Sequence, residues 1–265
     1  MSAPPAAPGR AARRPPPLGG FSVTVLGLEV RRVLRNRRTV LMTMVLPVFF
    51  YWLFGVTQRY DNTSVGHGNV SAFVMVSMAL YGGVLATTSG GAMVSIERAL
   101  GWSRQLRVTP LAPAAYIVIK MLTALVLGAA SVAAVYLVGL LTGKAHMAVS
   151  TWVATGVIVW LGSLVFAAFG LFMGYLLPTE NVMQVLGFVL VLLAFAAGLF
   201  IPLSQYSAGL RTFAKFTPLY GLNQLVHAPL LGGGVDVAWL ANAAAWLAVF
   251  AAGAMWRFRV DTRRV

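Results

Sequence analysis

Six stretches of this chain, residues 39–57, 71–95, 121–142, 152–176, 182–203 and 238–256, are apolar and contain no Asp, Glu, Lys or Arg. Each is long enough to cross the hydrocarbon core of a bilayer, which takes about 20 apolar residues at roughly 1.5 Å of rise per residue. Six such rods in 265 residues leave too little polar chain to cover them in water. The reading is therefore an all-α integral membrane protein with six transmembrane helices and no room for a large soluble domain. Composition agrees, since only 10% of residues are charged, against about 25% in soluble domains. Pro47 interrupts the first stretch and should kink it, which a membrane helix tolerates when a neighbouring group satisfies the freed carbonyl.

The flanks set the orientation. Residues 1–20 are rich in proline, alanine and arginine and read as a disordered tail. In residues 21–38, Val23, Leu26, Val30 and Val33 recur at helical spacing while Arg31, Arg35 and Arg38 fall on the other side. That pattern predicts an amphipathic helix lying in the interface, its arginines toward anionic headgroups. The alternative is a cytoplasmic extension of the first span. Residues 39–256 then form the six-span domain and 257–265 a cytoplasmic tail. Of the 20 basic residues, 16 fall in the two ends and the even-numbered loops, and four in the odd-numbered loops. By the positive-inside rule this places both termini in the cytoplasm, N-in and C-in. Orientation in a membrane accounts for the net charge of +14 without invoking nucleic acid.

Reactive groups are sparse. Cysteine is absent, and His67, His146 and His227 lie far apart, so no metal-ligand spacing is present. The acids Glu29, Asp61, Glu97, Glu180, Asp236 and Asp261 are equally scattered, which disfavours a carboxylate catalyst although distant residues can meet in a fold. The chain supplies no G-x-x-x-x-G-K-[ST] phosphate loop; the run from Gly139 to Lys144 is too short and is followed by Ala145.

Between the second and third stretches runs IERALGWSRQLRVTPLAPAAYIVIK, residues 96–120. Ile96, Leu100, Ser103 and Arg107 share one helical face, with Glu97, Gly101 and Arg104 beside them, before Thr109-Pro110 ends the helix. Such a helix could dock a soluble protein or simply turn the chain around. Here the sequence resembles the type-2 ATP-binding-cassette transporter permeases, in particular bacterial export permeases of the daunorubicin-resistance type. Glu97, Arg98, Gly101, Leu106, Thr109, Pro110, Leu111 and Lys120 match the family's pattern, while Ala99 and Trp102 depart from it. A second patch, Phe200 and Pro202 followed by Leu210, Phe213, Ala214, Thr217, Pro218, Leu219 and Tyr220, is similar to the family after the fifth span.

The resemblance implies the membrane subunit of an exporter that pairs with a second six-span permease, identical or different, and rests on cytoplasmic ATPase subunits. Those partners would carry Mg-ATP, and this chain would hold no cofactor. It implies coupling residues at Glu97, Arg98, Gly101, Arg104 and Arg107, with Arg31 and Arg35 as further candidates. The implied cargo is a hydrophobic or amphipathic compound, a drug or antibiotic among the options, moved by alternating access. An ion-coupled secondary transporter would need charges along the spans, and an intramembrane enzyme would need a nucleophile or metal ligands there; both are disfavoured by the charge-free stretches. Thr87, Thr88, Ser89, Gln184 and Asn242 are polar groups in apolar segments that either line a substrate path or bond to neighbouring carbonyls. Gly82-Gly83, Gly90-Gly91 and the Gly170-x-x-x-Gly174 pair permit close helix packing, within one subunit or between two.

Overall fold

The computed structural model describes residues 17–58, 62–101, 111–177 and 181–263. Helix α1 (Val23–Leu34) precedes α2 (Arg37–Tyr51), which widens into a π-turn over Trp52–Val56. A two-residue hairpin, β1 (Ser64–Val65) and β2 (Gly68–Asn69), leads into α3 (Val70–Ala92) and α4 (Val94–Ala99). Then come α5 (Pro113–Thr142), α6 (Val149–Gly162), α7 (Leu164–Leu176) and α8 (Val182–Ala196). Two short helices, α9 (Ala208–Ala214) and α10 (Tyr220–Leu231), precede the last, α11 (Val237–Arg263).

Helix α3 is the axis of the bundle. It is apolar on every side, as a helix surrounded by others must be, and it packs against α2, α5, α6, α7 and α8. Small residues set how closely its backbone is approached. A Cβ on Gly170 would fall on the carbonyl of Thr88, and one on Gly174 would lie 3.1 Å from the Cα of Ala92. The Gly170/Gly174 pair thus serves packing inside this chain, between α3 and α7.

Helix α2 runs on through Pro47. Proline has no N–H for the carbonyl four residues earlier, that of Thr43. Ser131 of α5 supplies the replacement, its hydroxyl donating to the Thr43 carbonyl at 2.8 Å. The Pro47 ring meanwhile seats against Gly82, where a Cβ would come within 2.8 Å of Cγ.

Among the described residues, five helical stretches are long and apolar enough to cross a membrane: Thr39–Val56, Val70–Ala99, Ala114–Thr142, Val149–Leu176 and Val237–Asp261. The stretch at 182–203 differs from the expected span. Its helix stops at Ala196 after 15 residues, roughly 22 Å of rise, because Gly198 takes a left-handed φ of +78° and the chain turns. The helix expected from 121 begins instead at Pro113, so Lys120 lies within it and not in a loop. The expected tails are also shorter: Pro17–Gly20 form a 3-10 turn whose Gly19 carbonyl accepts the Ala112 N–H at 2.7 Å, and α11 continues helical to Arg263.

Candidate functional site: a buried charge cluster and an aromatic cavity

Four charged residues from three helices meet where α1, α4 and α5 converge. Glu29 and Arg32 are i, i+3 on α1, and Tyr116 and Lys120 are i, i+4 on α5, so each pair shares a face. Glu97 projects between them from α4. Its Oε1 accepts from Lys120 Nζ at 2.6 Å and from Arg32 Nη2, and its Oε2 accepts the Tyr116 hydroxyl at 2.7 Å. Lys120 Nζ also reaches Glu29 Oε2 at 2.8 Å, and Arg32 closes the ring to the same oxygen at 3.1 Å.

Glu97 and Lys120 are 5% and 4% exposed. Neither could be buried alone, since an isolated charge taken out of water costs far more than any one packing contact returns. Two carboxylates, a lysine and an arginine give no net charge, and a fully bonded cluster of this kind is tolerated in a low-dielectric interior. At Arg32 partial burial works against the cation, but the Glu97 hydrogen bond and charge outweigh it and hold the guanidinium above its ordinary pKa.

A second balanced pair lies next to the first. Arg98 Nε meets Asp261 Oδ2 at 2.8 Å, and its Nη1 donates to the last carbonyls of α7, Tyr175 at 2.8 Å and Gly174 at 3.2 Å. Phe258 of α11 packs between the Tyr116 and Tyr175 rings, with centroids 5.6 and 5.9 Å away. Through Glu97 and Arg98, α4 is therefore joined to α1, α5, α7 and α11.

The candidate coupling residues occupy different environments. Glu97 is turned inward, so its carboxylate is not offered to a partner surface. Gly101 has φ +76°, which makes it the left-handed residue after α4, and no described residue crowds the place of a Cβ there. Arg31 on α1 and Arg35 at its C-terminal cap are exposed. Arg104 and Arg107 lie outside the described residues. Of the expected apolar stripe on α1, Leu26, Val30 and Val33 turn toward the bundle, whereas Val23 is exposed.

Glu29, Arg32 and Tyr116 were not singled out as site residues from sequence, and Lys120 entered only as a family match. The signals were present in the i, i+3 and i, i+4 pairs and in a lysine joined without a break to an apolar run.

A second feature lies toward the other end of α3. A cavity of about 890 Å³ opens between α2, α3, α8 and the turn after α8. Phe50, Phe54, Phe73, Tyr81, Phe195 and Phe200 supply its aromatic walls, with Ser77 and Gln205 among the few polar side chains. From Tyr81 to Glu97 is roughly 24 Å of helical rise, so the stretch Val70–Ala99, α3 followed directly by α4, carries cavity wall toward one end and the charge cluster at the other.

None of the five residues expected along a substrate path is part of this wall. The Thr87 hydroxyl donates to the Gly83 carbonyl at 2.8 Å, and Thr88 is buried against α7. Ser89 is half-buried and Gln184 exposed. Asn242 ties α11 to the helices before it, accepting the Gly221 N–H at 3.2 Å and donating to the Lys215 carbonyl at 3.0 Å.

A family model for the ABC-2 type transporter matches residues 23–230, from the first residue of α1 nearly to the end of α10. The chain belongs to this family. A protein of Bacillus subtilis (strain 168) whose name describes it as a transport permease, YvfS, is 27% identical over 195 residues, covering 72% of this chain and 78% of that one. This ABC-2 chain is thus a multi-pass, helical membrane protein of a transport family, and the charge cluster and the cavity both fall within the matched residues, apart from what α11 adds.

Proposed function

We propose that this chain is the membrane subunit of an ATP-driven exporter, carrying a hydrophobic or amphipathic compound outward through the aromatic cavity while a separate ATPase supplies the work. The observation that carries the reading is the charge cluster, which fastens α1 and α4 to the bundle at one end of the α3–α4 stretch whose other end forms the cavity wall. A lever of this kind needs a rigid joint to the part it moves. A shift imposed on α4 from below would displace Glu97 and Arg98, and with them α1, α5, α7 and α11, and would travel along α3 to Phe73 and Tyr81.

In this reading α8 and the segment after it complete a sixth crossing, both termini lie in the cytoplasm of a bacterial plasma membrane, and α1 lies along the inner leaflet. Residues 1–20 and 257–265 are the cytoplasmic ends of a domain spanning 39–256. Glu97 and Arg98 transmit force by positioning α4. Arg31 and Arg35, with Gly101, Arg104 and Arg107, face the ATPase, which binds Mg-ATP. Two six-span subunits, identical or different, complete the transporter, and drug or antibiotic efflux is the use such a cavity suits.

The test is reconstitution. The full chain in proteoliposomes should neither hydrolyse ATP nor accumulate a lipophilic fluorescent cation. Adding an ATP-binding-cassette ATPase that co-purifies with it should give ATP-dependent accumulation that Glu97→Ala abolishes while the protein still inserts. ATP turnover by the chain alone, or full transport by Glu97→Ala, would overturn the assignment.

A further inference from the structure

Behind the cavity wall, His227 of α10 contacts two residues that line it, Phe73 and Ser77, one helical turn apart on α3. The imidazole is 3% exposed and lies against the Phe73 ring, with centroids 4.2 Å apart. Its Nδ1 is 2.8 Å from the Asn223 carbonyl, and its Nε2 is 3.0 Å from Ser77 Oγ.

The protons on this chain of atoms can be placed by elimination. Both ring nitrogens face a carbonyl, which only accepts, and a neutral ring has a single N–H; it belongs on Nδ1, whose carbonyl contact is the shorter, 2.8 Å to Asn223 against 3.4 Å from Nε2 to Phe73. No carboxylate is among the hydrogen-bond partners of the ring, and an uncompensated buried imidazolium is costly, so the ring is neutral and Nε2 is bare. Ser77 must then donate its one proton to Nε2. A helical serine would otherwise give that proton to the carbonyl four residues back, here Phe73. With the proton committed to His227, Ser77 Oγ has only lone pairs left for anything in the cavity. The other polar wall groups are not fixed in this way: Gln205 is exposed at the mouth, and the Tyr81 hydroxyl can rotate to donate or accept.

We infer that the Asn223–His227–Ser77 relay makes the cavity selective for apolar ligands that carry a hydrogen-bond donor, a hydroxyl or an N–H, over the same skeleton capped as an ether or tertiary amine. The inference rests on the cavity being the ligand site. Ser77 is the group that touches the ligand, and His227 is a positioning residue that fixes the polarity of Ser77 and the place of the Phe73 ring.

A matched pair of probes tests it: tritiated 1-naphthol and 1-methoxynaphthalene, bound to the full chain in lipid nanodiscs and read by scintillation proximity with empty nanodiscs subtracted. One added hydrogen bond of ordinary strength predicts about a fivefold preference for the naphthol. Ser77→Ala should erase the preference by weakening naphthol binding, and Ser77→Thr should restore it. His227→Phe keeps a ring against Phe73 but leaves the Ser77 proton to be shared between the Phe73 carbonyl and a ligand acceptor in the cavity, so it should narrow the preference by strengthening ether binding, a change that loss of packing would not produce. Leu46→Trp and Ile201→Trp, which fill the cavity from its partly exposed rim, should reduce both probes. Equal wild-type affinities, with both probes displaced by the tryptophan variants, would refute donor selection and leave the cavity as a ligand site. Binding indifferent to the tryptophans, or absent, would overturn the cavity reading and the relay together.

Discussion

Replacing Lys120 by Met removes the buried one of the two cations that touch both carboxylates. The methionine fills a similar volume, so the loss is mainly electrostatic. Glu97 keeps Arg32 and Tyr116, but Glu29 keeps only Arg32, and the cluster passes from neutral to one net negative charge. With Lys120 at 4% exposure, water cannot take its place. Breaking a buried ion pair by removing one partner costs about 3–5 kcal/mol. Against typical stabilities of about 5–15 kcal/mol this is a large fraction, and it corresponds to a fall in melting temperature of about 10 °C for a chain of this size. The informative measurement is a double-mutant cycle, with melting followed in nanodiscs for Lys120→Met, Glu97→Gln and the two combined. The double variant is charge-balanced again, with Arg32 facing Glu29, so it should recover about 1–3 kcal/mol relative to the sum of the single losses. Strict additivity, or an unchanged melting temperature for Lys120→Met, would refute the claim that the cluster joins α1, α4 and α5.

Other consequences are separately testable. Ser131→Ala should cost about 1 kcal/mol by leaving the Thr43 carbonyl without its donor, and that cost should shrink in a Pro47→Ala background, where the backbone N–H is restored; an equal cost in both backgrounds would dissociate the two residues. Gly170→Ala should lower folded yield sharply because its Cβ has no room beside the Thr88 carbonyl, whereas Gly187→Ala, with open space around it, should behave as wild type by size-exclusion profile. In this cysteine-free chain, single cysteines at Thr63 and Ser103 should react with an impermeant maleimide from opposite sides of the membrane, and labelling from one side only would overturn the proposed topology.

Much of the fold is legible because a membrane helix must satisfy its backbone internally and its length is set by the bilayer. Charge-free runs therefore locate five long helices with little ambiguity. The segment 182–203 misleads because hydropathy registers that a run is apolar and not that Gly198 and Pro202 turn it. The part of the Pro47 expectation that concerns a substitute donor is met for a more specific reason: removal of one N–H creates one unmatched carbonyl, so a compensating donor can be anticipated, although a sequence does not reveal that the donor is Ser131, 88 residues away.

The site is harder to read because one-dimensional spacing hides neutralisation. Glu29, Glu97 and Lys120 look like isolated charges near span ends, and scattered acids suggest an absence of chemistry. In the fold they close with Arg32 into a ring whose sum is zero, which is why Glu97 and Lys120 can be buried. The same balance accounts for where the charges gather. A neutral, fully bonded cluster resists being pulled apart, since separating α4 from α1 or α5 would expose unmatched charge at low dielectric. The apolar cavity walls farther along α3 carry no charged side chain among their lining residues. In the proposed reading, the joint at the charged end holds together while a displacement of α4 is passed along α3 to the cavity.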